Sequence, residues 1–118
     1  MKIRKGFVSN SSSSSFVALV DPDAWSKIKS ELDEFQTEVL SKLNTKAVTL
    51  NDKPYVQFYS YMSEDWVGFE YSELSHTLKE DESDWVLMEK VDTAINTIRR
   101  KISNIATSGD AWCHWEDR

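Results

Sequence analysis

The ten residues FVALVDPDAW (Phe16–Trp25) pass from strand chemistry to helix chemistry, and that switch decides the fold class. Phe16 to Val20 is a continuous apolar run of the length expected for a buried strand. Asp21-Pro22-Asp23 ends it with a helix-start signal. Asp21 can accept from unsatisfied amides, Pro22 suits the first helical position, and Asp23 complements the positive end of the helix dipole. Beyond it Trp25, Ile28, Leu32, Phe35, Val39 and Leu43 recur at steps of three and four, which predicts one amphipathic helix over 22–43.

Working outward, AVTL (Ala47–Leu50) reads as an extra short strand or part of a second strand, followed by a turn on Asn51-Asp52-Lys53-Pro54. YVQFYSY (Tyr55–Tyr61) and WVGFEY (Trp66–Tyr71) are rich in aromatic and β-branched residues and predict a hairpin closed by Ser63-Glu64-Asp65. Their alternation places Val56, Phe58, Val67, Phe69 and Tyr71 inward and exposes Tyr55, Tyr59, Tyr61 and Trp66. Gly68 would mark a bulge or a close backbone approach. A polar stretch over 72–83, with one helical turn through Leu74 and Leu78, leads to a second amphipathic helix from Asp84 to Ala106. Its stripe is Leu87, Val91, Ile95, Ile98, Ile102 and Ile105, with Arg99, Arg100 and Lys101 read as cations toward the negative end of its dipole. Thr107-Ser108-Gly109 stops that helix, and AWCHWE (Ala111–Glu116) reads as a closing strand. Two helices on a mainly antiparallel sheet make a two-layer α+β sandwich, with the split β-α-β, or ferredoxin-like, order as the leading topology. The chain divides into a Ser-rich segment, 1–15, and a single α+β domain, 16–118.

Composition fits one globular domain: 118 residues, 40% hydrophobic, 12% aromatic, only three Gly and two Pro. A formal net charge of -6 opposes nucleic-acid phosphate and anionic lipid, so a nucleic-acid partner is disfavoured. The basic spots, Lys2-Arg4-Lys5 and Arg99-Arg100-Lys101, are too short to reverse that sign. A single cysteine, Cys113, fits a reducing compartment. The basic opening is followed by serines instead of the apolar core of a signal peptide, and no run approaches the ~20 apolar residues of a membrane span. A cytoplasmic address is expected.

The sequence holds little that resembles a catalytic or metal centre. Cys113 and His114 are adjacent and point to opposite faces of a strand, His76 is remote in sequence, and no four-ligand zinc spacing exists. No metal or cofactor is expected. A Cys113–His76 nucleophilic pair is compatible with the sequence but has no supporting motif. Nucleophile-elbow, Walker and dinucleotide-binding glycine patterns are absent. Glu80, Asp81, Glu82 and Asp84 read as solvated surface. KGFV (Lys5–Val8) is similar to part of the basic-Gly-aromatic signature of RNA-recognition domains, and departs from it at Ser9 and Asn10.

Aromatic surplus is more informative. Five Trp and four Tyr are many for 118 residues, and Tyr59, Trp66, Trp112 and Trp115 are either covered by loops and the N-terminal segment or form an exposed interaction face. The other distinctive element is GFVSNSSSSSF (Gly6–Phe16). By composition its serines make a tether, but the run is flanked by apolar Phe7 and Val8 before it and by the first strand after it. The alternatives to a tether are, in order, a loop that offers hydroxyl and amide donors to an anion or carries a modification, and a short partner-docking motif.

RKGFVSNSSSSSFV (Arg4–Val17) resembles an N-terminal motif of small uncharacterised proteins of tailed bacteriophages and some bacteria, over those residues alone. The resemblance implies a phage or mobile-element origin and action inside a bacterial host, and implies no chemistry. The leading expectation is therefore a non-enzymatic accessory protein that binds a host or phage protein, in one form an inhibitor of a host system. Its candidate partner-binding residues are Phe7, Asn10, Ser11, Ser12, Ser13, Tyr59, Trp66, Trp112 and Trp115. The alternatives are a small enzyme or anion-binding domain built on the Ser-rich loop, and a homo-oligomeric structural protein.

Overall fold

The structure, a computed structural model, describes residues 13–63, 67–70, 73–74 and 84–117. In chain order these form β1 (Ser14–Val20), α1 (Pro22–Ser30), α2 (Glu34–Ser41), β2 (Asn44–Leu50), β3 (Lys53–Met62), α3 (Asp84–Ala106) and β4 (Ala111–Asp117). The strands make one sheet in the order β2-β3-β1-β4, antiparallel throughout. The α+β architecture expected from the sequence is present.

Sheet alternation sets the layers. Phe16, Ala18 and Val20 of β1 and Phe58, Ser60 and Met62 of β3 turn toward the helices and are buried. There they meet Trp25 and Ile28 of α1, Val39 and Leu40 of α2, and Leu87, Val91, Ile95, Ile98 and Ile102 of α3. The helical stripe of α3 thus packs as its spacing requires. α3 runs beneath β1 and β4, α1 beneath β3, and α2 packs on α3.

The helix expected over 22–43 is two helices. Asp21 caps α1, its carboxylate accepting from the amides of Asp23 (3.0 Å) and Ala24 (3.3 Å). The chain then leaves the helix at Glu31, and Asp33 starts α2 with a capping box. Its side chain accepts from the Gln36 amide at 2.7 Å while Gln36 Oε1 accepts from the Asp33 amide at 3.0 Å. The break redirects the chain so that Val39, Leu40 and Leu43 are buried while Leu32 and Phe35 are half-buried.

The hairpin also lies elsewhere. β2 and β3 are joined by the two-residue turn Asn51-Asp52, with φ of 52° and 64°, the left-handed pair that matches strand twist in tight hairpins. The expected partner strand at 66–71 does not form, since Val67 to Phe69 is a bend. Val67 and Phe69 still turn into the core, 1% and 5% exposed; Trp66 and Tyr71 lie outside the described residues. Gly68 has φ +100° and open space where a Cβ would stand, so left-handed backbone, not a close approach, calls for glycine there. Of the helical turn expected through Leu74 and Leu78, Leu74 is buried and Leu78 lies outside the described residues.

Replacing Asp33 by Ala separates the two helical readings. In one continuous helix the change would be neutral or slightly stabilising. With Asp33 as a cap it lowers stability by about 1 kcal/mol, as does Asp21→Ala, measured by urea denaturation.

Candidate functional site

The sheet face turned away from the helices is not covered by any described element. Register and alternation place Val17 and Leu19 of β1, Tyr55, Gln57, Tyr59 and Tyr61 of β3, Trp112, His114 and Glu116 of β4, and Asn44, Lys46, Val48 and Leu50 of β2 on it. Two cross-strand rows make its centre. One runs Asn44–Tyr59–Val17–His114 and the next Lys46–Gln57–Leu19–Trp112. Tyr59, on the interior strand β3, is 37% exposed, and Trp112, on the edge strand β4, is 55% exposed. The Trp112 and His114 rings lie parallel, 6.4 Å apart and 9° from coplanar, and Lys53 Nζ sits 5.6 Å over the Tyr55 ring. Where β2 meets β3 a shallow depression of about 330 Å³ is lined by Asn44, Thr45, Lys46, Gln57 and Tyr59.

This face joins two of the sequence-predicted residues, Tyr59 and Trp112. Tyr55 and Tyr61 share it as expected, though half-buried. Trp115 lies on the other side. It is paired with Phe16 in the ladder, and its ring meets Phe16 edge-on at 4.6 Å, so it half-covers the core while remaining 45% exposed. Phe7, Asn10, Ser11, Ser12 and Trp66 lie outside the described residues. Ser13 directly precedes β1 and is half-buried.

The end of the serine run is sheet. Ser14 and Ser15 open β1, Ser15 facing outward between Tyr61 and Glu116 and Ser14 facing inward. The group that meets Ser14 is the residue least visible from sequence. Arg99, read above as a surface cation, is 1% exposed. Its Nε donates to Ser60 Oγ at 2.8 Å, Nη1 to Ser14 Oγ at 2.9 Å, and Nη2 to the Ser60 carbonyl at 3.2 Å. The guanidinium lies 5.2 Å from the Trp115 ring centre and 5.8 Å from that of Phe16, favourable positions for a cation over π faces. One planar fork thus ties the start of β1 to the end of β3. The signal was present: position 99 is four after Ile95 and three before Ile102, on the buried stripe. Arg99 to Lys101 also precede the last turn of α3, which contains no basic residue.

Of the groups considered for catalysis, Cys113 and His114 lie on opposite faces of the sheet. Cys113 faces the helices, its Sγ 3.8 Å from Ser103 Oγ, while His114 stacks on Trp112 on the opposite face. His76 lies outside the described residues. Among the described residues no group of three or more His, Cys, Asp or Glu is gathered as a metal site, and no helix is long and apolar enough to cross a membrane.

No protein-family model, curated protein or solved structure matches this chain.

The Arg99 fork gives a graded series. Arg99→Ala leaves a buried Ser60 hydroxyl and carbonyl without this donor and removes a packed stem, lowering stability by about 3 kcal/mol. Arg99→Lys restores less than half of that, because a point ammonium cannot reproduce the fork between Ser60 and Ser14. Ser14→Ala costs about 1 kcal/mol, and urea denaturation orders the three.

Proposed function

We propose that the chain is a non-enzymatic binding protein whose uncovered sheet face docks a protein partner. The observation that carries this reading is the exposure of Tyr59, on an interior strand, and of Trp112, on the edge strand β4, across a face that also presents Val17, Leu19 and Val48. Aromatic and apolar side chains in the middle with polar groups at the margin form the usual anatomy of a docking patch. Asn44, Lys46, His114 and Glu116 supply that margin.

Tyr and Trp bury large rigid areas at little conformational cost, which makes them the common anchors of protein interfaces. The described strands hold them on a four-stranded sheet, so the anchors are positioned before a partner arrives and lose little freedom on binding. The separation of Cys113 from His114 across the sheet weighs against a Cys–His nucleophile of those two residues. The resemblance of Arg4–Val17 to a motif of small phage proteins supports an accessory role inside a bacterial host, with inhibition of a host system as one form of it.

The test compares capture by the wild type with capture by Tyr59→Ala/Trp112→Ala, using Lys29→Ala on the exposed side of α1 as a control. The double variant loses a partner retained stoichiometrically by the other two, with affinity falling at least about thirtyfold. Its own stability falls by about 1–2 kcal/mol through lost cross-strand contacts and the lower strand propensity of Ala, and circular dichroism checks that it is folded before capture. A partner bound equally by all three, or lost only on changing the helical side, overturns the reading.

A further inference from the structure

The edge of the sheet beside that face has an unusual set of properties. β2 pairs with β3 on one side and with no described strand on the other. Its residues are exposed on both faces except Val48, which is half-buried. Thr45, Ala47 and Thr49 point to the helical side but are not covered by it, so β2 overhangs the helix layer. Its register with β3 is unbroken from Asn44↔Tyr59 to Leu50↔Lys53. Of the devices that commonly blunt an edge, β2 has neither a bulge nor a proline, and it carries one lysine, Lys46.

The turn geometry says which backbone groups are on offer. In a two-residue hairpin the residues flanking the turn form a hydrogen-bonded pair, here Leu50 and Lys53. Counting back in twos, Val48, Lys46 and Asn44 bond to β3, and Thr45, Ala47 and Thr49 direct N–H and C=O groups outward. Pro54 agrees with this phase. It stands opposite Thr49, at a pair where the ladder needs no N–H.

Charge identifies the occupant. Lys46 is the one charged side chain of β2, and it makes no ion pair with a described residue. It faces the docking side, in the row with Gln57, Leu19 and Trp112, and lines the depression beside Tyr59. We infer that the partner supplies an extended, largely apolar and β-branched segment that adds to β2 as a fifth strand, with one carboxylate against Lys46. This rests on the sheet-face docking reading and specifies how the partner sits. Backbone bonds to Thr45, Ala47 and Thr49 give affinity, and alternate side chains give selectivity. On the docking face a carboxylate lies beside Lys46 and apolar groups beside Val48 and Leu50. On the other face small or β-branched residues lie beside Thr45, Ala47 and Thr49.

The probe is a capped peptide of the length of β2, reading Val-Thr-Val-Thr-Glu-Thr-Asn, added to the full chain and followed by amide NMR. The expected result is slowed exchange and shifts at the Thr45, Ala47 and Thr49 amides. Lys46→Glu weakens binding by about fivefold, and a peptide with Lys in place of Glu recovers it on that variant. Lys29→Ala, on the exposed side of α1, leaves the short peptide bound, and the Tyr59→Ala/Trp112→Ala variant is read by partner capture, so the edge and the face are read separately. Failure of the peptide with persistence of face-dependent capture overturns the edge proposal alone. Concentration-dependent shifts at the same amides without peptide assign the edge to a second copy, and shifts of Tyr59 and Trp112 with oligo-dT assign the face to single-stranded nucleic acid. Either outcome overturns the proposal.

Discussion

A guanidinium buried to 1% exposure constrains this fold more than any other single group. Removing such a cation from water is expensive, and the structure must surround it with acceptors. Ser60 contributes a hydroxyl and a carbonyl and Ser14 a hydroxyl, while Phe16 and Trp115 contribute ring faces. These groups come from β1, β3 and β4. Satisfying Arg99 therefore brings three strands together on α3 at once, and the apolar alternation of β1 sets their register. A one-residue shift of β1 would still offer Arg99 a serine, Ser13 or Ser15, but would turn Phe16, Ala18 and Val20 out of the core.

The same clamp stiffens the site on the opposite side of the sheet. Ser60 lies between Tyr59 and Tyr61, so fixing its hydroxyl and carbonyl from below fixes the directions of two tyrosines of the uncovered face above. The division of labour is by face. Apolar packing and one buried cation hold the helical side, and the other side is left with aromatic groups whose burial the fold does not need. β2 extends that second surface past the helices, where stability gains little from it and an edge remains open.

Much of this was legible from spacing. The strand at Phe16–Val20, the cap at Asp21, the long helix over 84–106 and the closing strand all follow from local signals that tertiary structure did not override. The failures have particular causes. The stripe Trp25–Leu43 is compatible with one helix, and only the Asp33-x-x-Gln36 box reveals the break. WVGFEY has strand composition, but Gly68 takes a left-handed conformation that bends the chain, so Val67 and Phe69 reach the core without pairing. The Asn51-Asp52 turn was visible, and its near strand was underestimated because Asn44-Thr45-Lys46 is polar, as befits an overhanging edge. Exposure of Tyr59 and Trp112 was legible from surplus. That Trp115 would face the other way follows from its odd spacing from Trp112. Arg99 was missed because the first of three consecutive positive charges reads as solvent-facing unless its phase on the helix is checked.

The position of β1 also bears on how the chain is made. This strand sits inside the sheet, yet both of its neighbours are encoded later: β3 ends at Met62 and β4 begins at Ala111. The hydroxyl of Ser14 waits for a partner 85 residues downstream. A ribosome therefore releases an apolar strand long before either of its edges can be matched. Such long-range pairing slows folding and leaves unpaired strand exposed in the interval. During that interval the polar serines at the head of β1 form a hydrophilic border next to its stickiest residues. A segment that looks like filler in the sequence thus lies where a nascent chain most needs help remaining soluble.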